Sequence, residues 1–79
     1  MKSQSMPLSQ LPFGRRGVVR ELRAGTGSRR RLLDLGLVVG TPVETVLRSP
    51  AGNPMAYDIR GTLIALRNAE AGQIIVDLL

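Results

Sequence analysis

The sequence predicts a mostly β fold: a small, strongly bent antiparallel barrel of about five strands, with one short helix after the first main strand. Three observations carry this. Apolar residues alternate over short runs, as in Met55, Tyr57 and Ile59 or Ile74, Val76 and Leu78, which is the period of a half-buried strand. Turn-forming stretches at residues 12–14, 49–54 and 68–72 separate these runs by only a few residues,. Helical spacing of leucines occurs once, over residues 29–35,. Short connections and one buried face per strand favour a barrel over a sandwich. A closed barrel would also leave no edge strand open to aggregation.

Taken in order, residues 1–6 (MKSQSM) read as a flexible tail, leaving residues 7–79 as a single domain,. PLSQL reads as a short edge segment and PFG as a turn. GVVREL, residues 17–22, is the first main strand. Val18 and Leu22 share a face there and Val19 faces the other way, which implies a bulge or cover on both sides. AGTGS is a loop whose Thr26 or Ser28 can cap the following helix.

The helix is predicted over residues 29–35. Leu32, Leu33 and Leu35 spread over one apolar face, with Arg30, Arg31 and Asp34 opposite,. Arg30 and Asp34 are spaced to pair across one turn, and Gly36 stands at the left-handed position after the helix. This reading leaves a puzzle. Three arginines open the helix, where the backbone dipole makes each cation cost about 0.3–1 kcal/mol.

Four more strands follow. Residues 41–48 place Val43, Thr45 and Leu47 on one face with Val46 opposite. Residues 55–60 place Met55, Tyr57 and Ile59 on one face. Gly61 separates these from TLIALR, NAEAG forms a turn, and QIIVDLL closes the chain,.

Composition narrows the function. The chain has 79 residues with no cysteine and no histidine. The commonest general base and the nitrogen and sulfur ligands of iron or zinc are therefore missing. The six carboxylates show no spacing that pairs two of them on a helix or strand face. No glycine pattern suited to cradling phosphates occurs. These facts argue against an enzyme, a resident cofactor and a dedicated metal site. No apolar run approaches the ~18 residues of a membrane span, and residues 1–7 lack the apolar centre of a signal peptide, so a cytoplasmic location is expected. Net charge is +5, from ten arginines and Lys2 against six carboxylates. Residues 15–31 hold seven arginines and one carboxylate, Glu21. Single-strand nucleic-acid binders add stacking aromatics to a basic groove. This chain has one phenylalanine and one tyrosine, so specific nucleic-acid binding is not expected.

One stretch and its sequel go beyond generic features. Arg31-Leu32, Leu35-Gly36-Leu37 and Gly40 are followed by Pro50 and Gly52-Asn53-Pro54. Gly61, Ile64-Ala65-Leu66-Arg67, Ala71, Ile74 and Val76 then complete the order. This ordered set resembles the FeoA family of ferrous iron transport proteins over roughly residues 8–79. It departs at Val39, where the family often has proline. The resemblance implies an SH3-like barrel over residues 7–79 and a cytoplasmic accessory of ferrous iron uptake. It implies an FeoB-type transporter as partner, bound on its cytosolic side with effects on transport or the GTP cycle. A metal-sensing SH3-like module and a basic nucleic-acid-binding barrel remain as alternatives. The high net charge argues for weak or no self-association.

Two readings fit the arginine cluster. Arg29, Arg30 and Arg31, with Arg15 and Arg16, form a docking face for an acidic partner, or their stems cover a small core while the heads stay solvated. Leu37, Val38 and Val39 sit together in a short loop. Either Leu37 and Val39 contribute exposed apolar contacts, or all three are buried in the barrel mouth.

Overall fold

The computed structural model describes residues 4–79. The chain forms β1 (Ser5–Pro7), a 3-10 turn (Leu8–Gln10), β2 (Arg16–Leu22), α1 (Thr26–Asp34) and β3 (Pro42–Arg48). It continues with β4 (Met55–Ile59), β5 (Thr62–Leu66), α2 (Asn68–Ala71) and β6 (Ile74–Leu78). All six strands join one antiparallel sheet in the order β1-β6-β2-β3-β4-β5. The mostly β class holds, with six strands rather than about five.

Several sequence expectations are corrected. Residues 1–6 are not all tail: Ser5, Met6 and Pro7 pair with Asp77, Val76 and Ile75 of β6. Residues 1–3 of that stretch lie outside the described residues. Of PLSQL only Pro7 belongs to an edge strand: Leu8–Gln10 form the 3-10 turn, with Leu8 in the core. NAEAG holds a one-turn helix, α2. The sheet ends at β1 on one side and β5 on the other, with no ladder between them. The barrel is therefore bent but not closed by hydrogen bonds, and two edges remain.

Two bulges reset the faces of the long strands. The register of β2 against β6 shifts between Val19 and Glu21. The extra residue brings Val19 and Leu22 both inward, and Val18 faces outward, half-buried. The register of β3 against β4 shifts between Thr45 and Leu47. Val43 and Thr45 stay in the core, while Leu47 is turned out to 56% exposure. A strict two-residue count cannot see such shifts, because one extra residue flips every later side chain.

The core is built from Val19, Leu22, Val43, Tyr57, Ile59, Leu66, Ile74 and Val76 of the strands, joined by Leu32 of α1. Leu8, Leu11 and Ala71 are also buried, and α2 packs on the 3-10 turn, so these short elements cover the interior where the ladder stops. Each fully buried leucine or isoleucine contributes about 1.5–3 kcal/mol relative to exposure. The fully buried Thr45 donates from Oγ1 to the Leu11 carbonyl at 3.3 Å.

Helix α1 begins three residues earlier than predicted. Gly25 is its N-cap, with no side-chain cap from Thr26 or Ser28, and Arg29 N donates to the Gly25 carbonyl at 2.7 Å. This resolves the arginine puzzle. Arg29, Arg30 and Arg31 occupy the middle and last turn, and Arg31 lies where the dipole favours a cation,.

Candidate interaction surface

The end of α1 decides which loop side chains reach the surface. Gly36 has φ +98, and two bonds close the helix: Gly36 N to the Leu33 carbonyl at 2.9 Å and Leu37 N to the Leu32 carbonyl at 3.1 Å. This is a Schellman turn, in which the residue after the left-handed glycine packs on the helical residue five positions earlier. Leu37 and Leu32 fill those roles, and both are buried. The expectation that Leu37 offers a partner contact is therefore corrected: it is a core residue. Val38 lies at 38% exposure and Val39 at 70%. A Cβ at position 36 would also meet Arg60 Cδ at 3.2 Å, so the glycine lets the Arg60 stem cross the helix end.

The five arginines singled out in sequence do not share one face. Arg15 and Arg16 stand at the start of β2, and Arg29–Arg31 follow its far end. Six residue steps at about 3.3 Å separate the two ends of the strand by about 20 Å. Each arginine also has its own setting. Arg29 Nη1 donates to the Leu22 carbonyl at 3.0 Å, tying α1 to the end of β2. Arg31 pairs with Glu70 of α2. Arg15 Nη2 donates to the Leu79 carbonyl at 3.2 Å. Arg30 is exposed and makes no ion pair among the described residues, so its expected pairing with Asp34 does not form. Arg16 lines a shallow cleft with Pro42, Glu44, Asp58 and Arg60.

That cleft follows from register. Arg16 lies opposite Glu44, and Glu44 opposite Asp58. Two carboxylates facing each other across strands repel, and the flanking Arg16 and Arg60 offset this. Asp58 Oδ1 accepts from Gly61 N at 3.0 Å, so one carboxylate serves the β4–β5 turn. Among the described residues, no three of His, Cys, Asp or Glu come together as metal ligands.

A second surface was missed in the sequence. On the outer face of β3, β4 and β5, Leu47 lies opposite Ala56, and Ala56 opposite Ala65. With Pro54 and Met55 they line an apolar groove. Ser49 Oγ, also in its wall, is buried and makes no hydrogen bond among the described residues. Leu63 stands on the adjoining part of β5 at 58% exposure. The alternation of TLIAL could have pointed to Leu63 and Ala65. The exposure of Leu47 depends on the β3 bulge, which leaves no mark in the residue types.

A bent six-strand sheet, with its main helix between the first two long strands, is the architecture of a small SH3-like β module. A FeoA domain is matched over residues 6–78. The Fe(2+) transport protein A/FeoB fusion protein of Porphyromonas gingivalis is 31% identical over 74 residues. That match takes in 94% of this chain but only 9% of the fusion protein's length. The FeoA protein of Chlorobium tepidum is 39% identical with a TM-score of 0.87, over 94% of this chain and 70% of that one. The FeoA of Stenotrophomonas maltophilia, solved in complex with zinc and described as an SH3-domain protein, is 37% identical. Its TM-score is 0.81, over 91% of this chain and 89% of that one. The chain belongs to the FeoA family, which is associated with ferrous iron transport. No helix is long and apolar enough to cross a membrane, among the described residues.

Proposed function

We propose that this chain is a non-enzymatic accessory of ferrous iron uptake that acts in the cytoplasm by binding an FeoB-type transporter and biasing its transport or GTP cycle. One observation carries the reading: in the Porphyromonas gingivalis relative, the segment similar to this chain is part of one polypeptide with FeoB. Fusion makes an association intramolecular, at an effective concentration of the order of mM, so it suits two modules that work in contact. The chain's own surface supports a binding role, with Arg30 exposed in the middle of α1 and Val39 exposed in the α1–β3 connection. A surplus of positive charge speeds encounter with an acidic partner.

The test is a titration of this protein against the purified cytosolic GTP-binding region of its cognate transporter, following binding and GTP hydrolysis together. Arg30→Glu is the clean charge reversal, because Arg29 and Arg31 also hold the fold through Leu22 and Glu70. It should slow association and flatten the salt dependence. Absence of binding in both nucleotide states would reject the reading.

A further inference from the structure

Strand β5 is an edge with an open hydrogen-bonding register. Arg60 and Gly61 form a two-residue turn, with φ of 55 and 83, and Ile59 and Thr62 close it as partners. In such a hairpin the closing pair exchanges backbone bonds, and every second pair after it does the same. Thr62, Ile64 and Leu66 therefore turn their N–H and C=O groups toward β4. Leu63 and Ala65 turn theirs to the free side, where no other strand pairs with β5 and no backbone or side-chain partner is found among the described residues. Both residues are exposed.

Sheet edges are ordinarily blunted by lysine, proline, a bulge or extreme shortness. Strand β5, TLIAL, has no charge and no proline, and its register against β4 is unbroken over five residues. Its charges stand just outside the strand instead, at Arg60 and Arg67. Of the nearby carboxylates, Asp58 holds Gly61 N, Glu70 holds Arg31 and the Arg67 backbone N–H, and Glu44 shares the cleft with Arg60. Neither Arg60 nor Arg67 makes an ion pair among the described residues.

We propose that β5 is a strand-addition site for an extended, acidic segment of another protein. The segment's backbone pairs with Leu63 and Ala65, its apolar residues lie beside Leu63 and the Leu47–Ala56–Ala65 groove, and its carboxylates meet Arg60 and Arg67. Strand addition of this kind draws affinity from main-chain bonds and selectivity from flanking side chains. Charge decides against a second copy as the occupant. Antiparallel pairing of β5 with itself brings Arg60 of one copy beside Arg67 of the other at both ends, between chains that each carry +5,. The edge belongs to this chain's own backbone, so the proposal holds whichever protein carries the segment.

The experiment is amide hydrogen exchange on the full chain with two synthetic peptides of about ten residues. Both alternate valine and threonine with charged residues, glutamate in one and lysine in the other. The glutamate peptide should slow exchange at Leu63 and Ala65 at least about tenfold, while Ile64, already bonded to β4, changes little. The lysine peptide should leave all three unchanged. Ala65→Pro removes an N–H that serves no bond within the sheet, and should abolish the protection while Leu66 still exchanges slowly. Arg60→Glu with Arg67→Glu should reverse the preference, toward the lysine peptide. Absence of protection with the glutamate peptide up to about 1 mM overturns the proposal. So does equal protection by both peptides, and so does protection that grows with protein concentration alone, which would make a second copy the occupant.

Discussion

Strands β1 and β5 bound the same sheet, yet they meet solvent in opposite ways. Strand β1 is three residues long and ends in Pro7, which has no N–H to offer,. Ser5 is held by Asp77, Oγ to Oδ1 at 2.7 Å, and Arg20 Nη1 reaches both Ser5 Oγ and Asp77 Oδ1 at 2.7 and 3.3 Å. That edge is short and locked by polar contacts. Strand β5 is five residues long, regular and apolar, and it is anchored from behind by the fully buried Leu66. The difference teaches where each edge gets its stability. Strand β1 is held by its outer face and β5 by its inner face, so β5 keeps its outer side free without loosening.

Five substitutions test this contrast and the core behind it. Leu66→Ala removes a core side chain of β5 and should cost about 3 kcal/mol in urea unfolding. Met6→Ala, half-buried on β1, should cost under about 1 kcal/mol. Equal losses would mean that the two edges are anchored alike. Asp77→Ala removes the shared acceptor of Ser5 and Arg20. Because the Arg20 side of the pair is exposed and Asp77 is partly so, the loss should be about 0.5 kcal/mol and shrink in high salt. Hydrogen exchange should quicken in β1 and stay unchanged in β5.

Leu63→Lys adds the edge charge that β5 lacks. It should leave stability within about 0.5 kcal/mol in urea unfolding. A large destabilisation would show that Leu63 is packed rather than free. The smallest effect at neutral pH belongs to Tyr57→Phe, since the Tyr57 hydroxyl makes no hydrogen bond among the described residues. Its consequence comes in alkali. Burial raises the Tyr57 pKa above the ordinary 10.0. The folded chain holds this proton while the unfolded chain releases it, so stability is complete below pH 10 and falls as pH rises above it. The phenylalanine variant should show a flatter decline when unfolding is compared at about pH 8 and about pH 11.

The candidate interaction surface was legible only in part. Arg30 and Val39 are exposed as one reading of the sequence required, but Leu37 is not. The Leu-Gly-Leu motif held the reason: a left-handed glycine after a helix draws the next apolar residue inward. The grouping of five arginines failed because closeness in sequence is not closeness across a strand. Arg15 and Arg16 are carried to one end of β2, and Arg29–Arg31 follow the other.

What the sequence determined by itself was local and periodic. It specified the β class, the inward face of β4 at Met55, Tyr57 and Ile59, the helix with Gly36 just beyond it, and the family through an ordered set of turn and core residues. Those features arise from neighbours a few positions apart, where propensity and alternation act directly. Only the tertiary structure decided which faces the bulged strands present, which arginines are engaged, and that one sheet edge is locked while the other stays open. Each of these depends on a partner far along the chain: β6 returning between β1 and β2, Glu70 meeting Arg31, and Val46 absorbing the register shift against β4. Such partners are fixed by how the whole sheet bends around its core, and no short window of residues contains them.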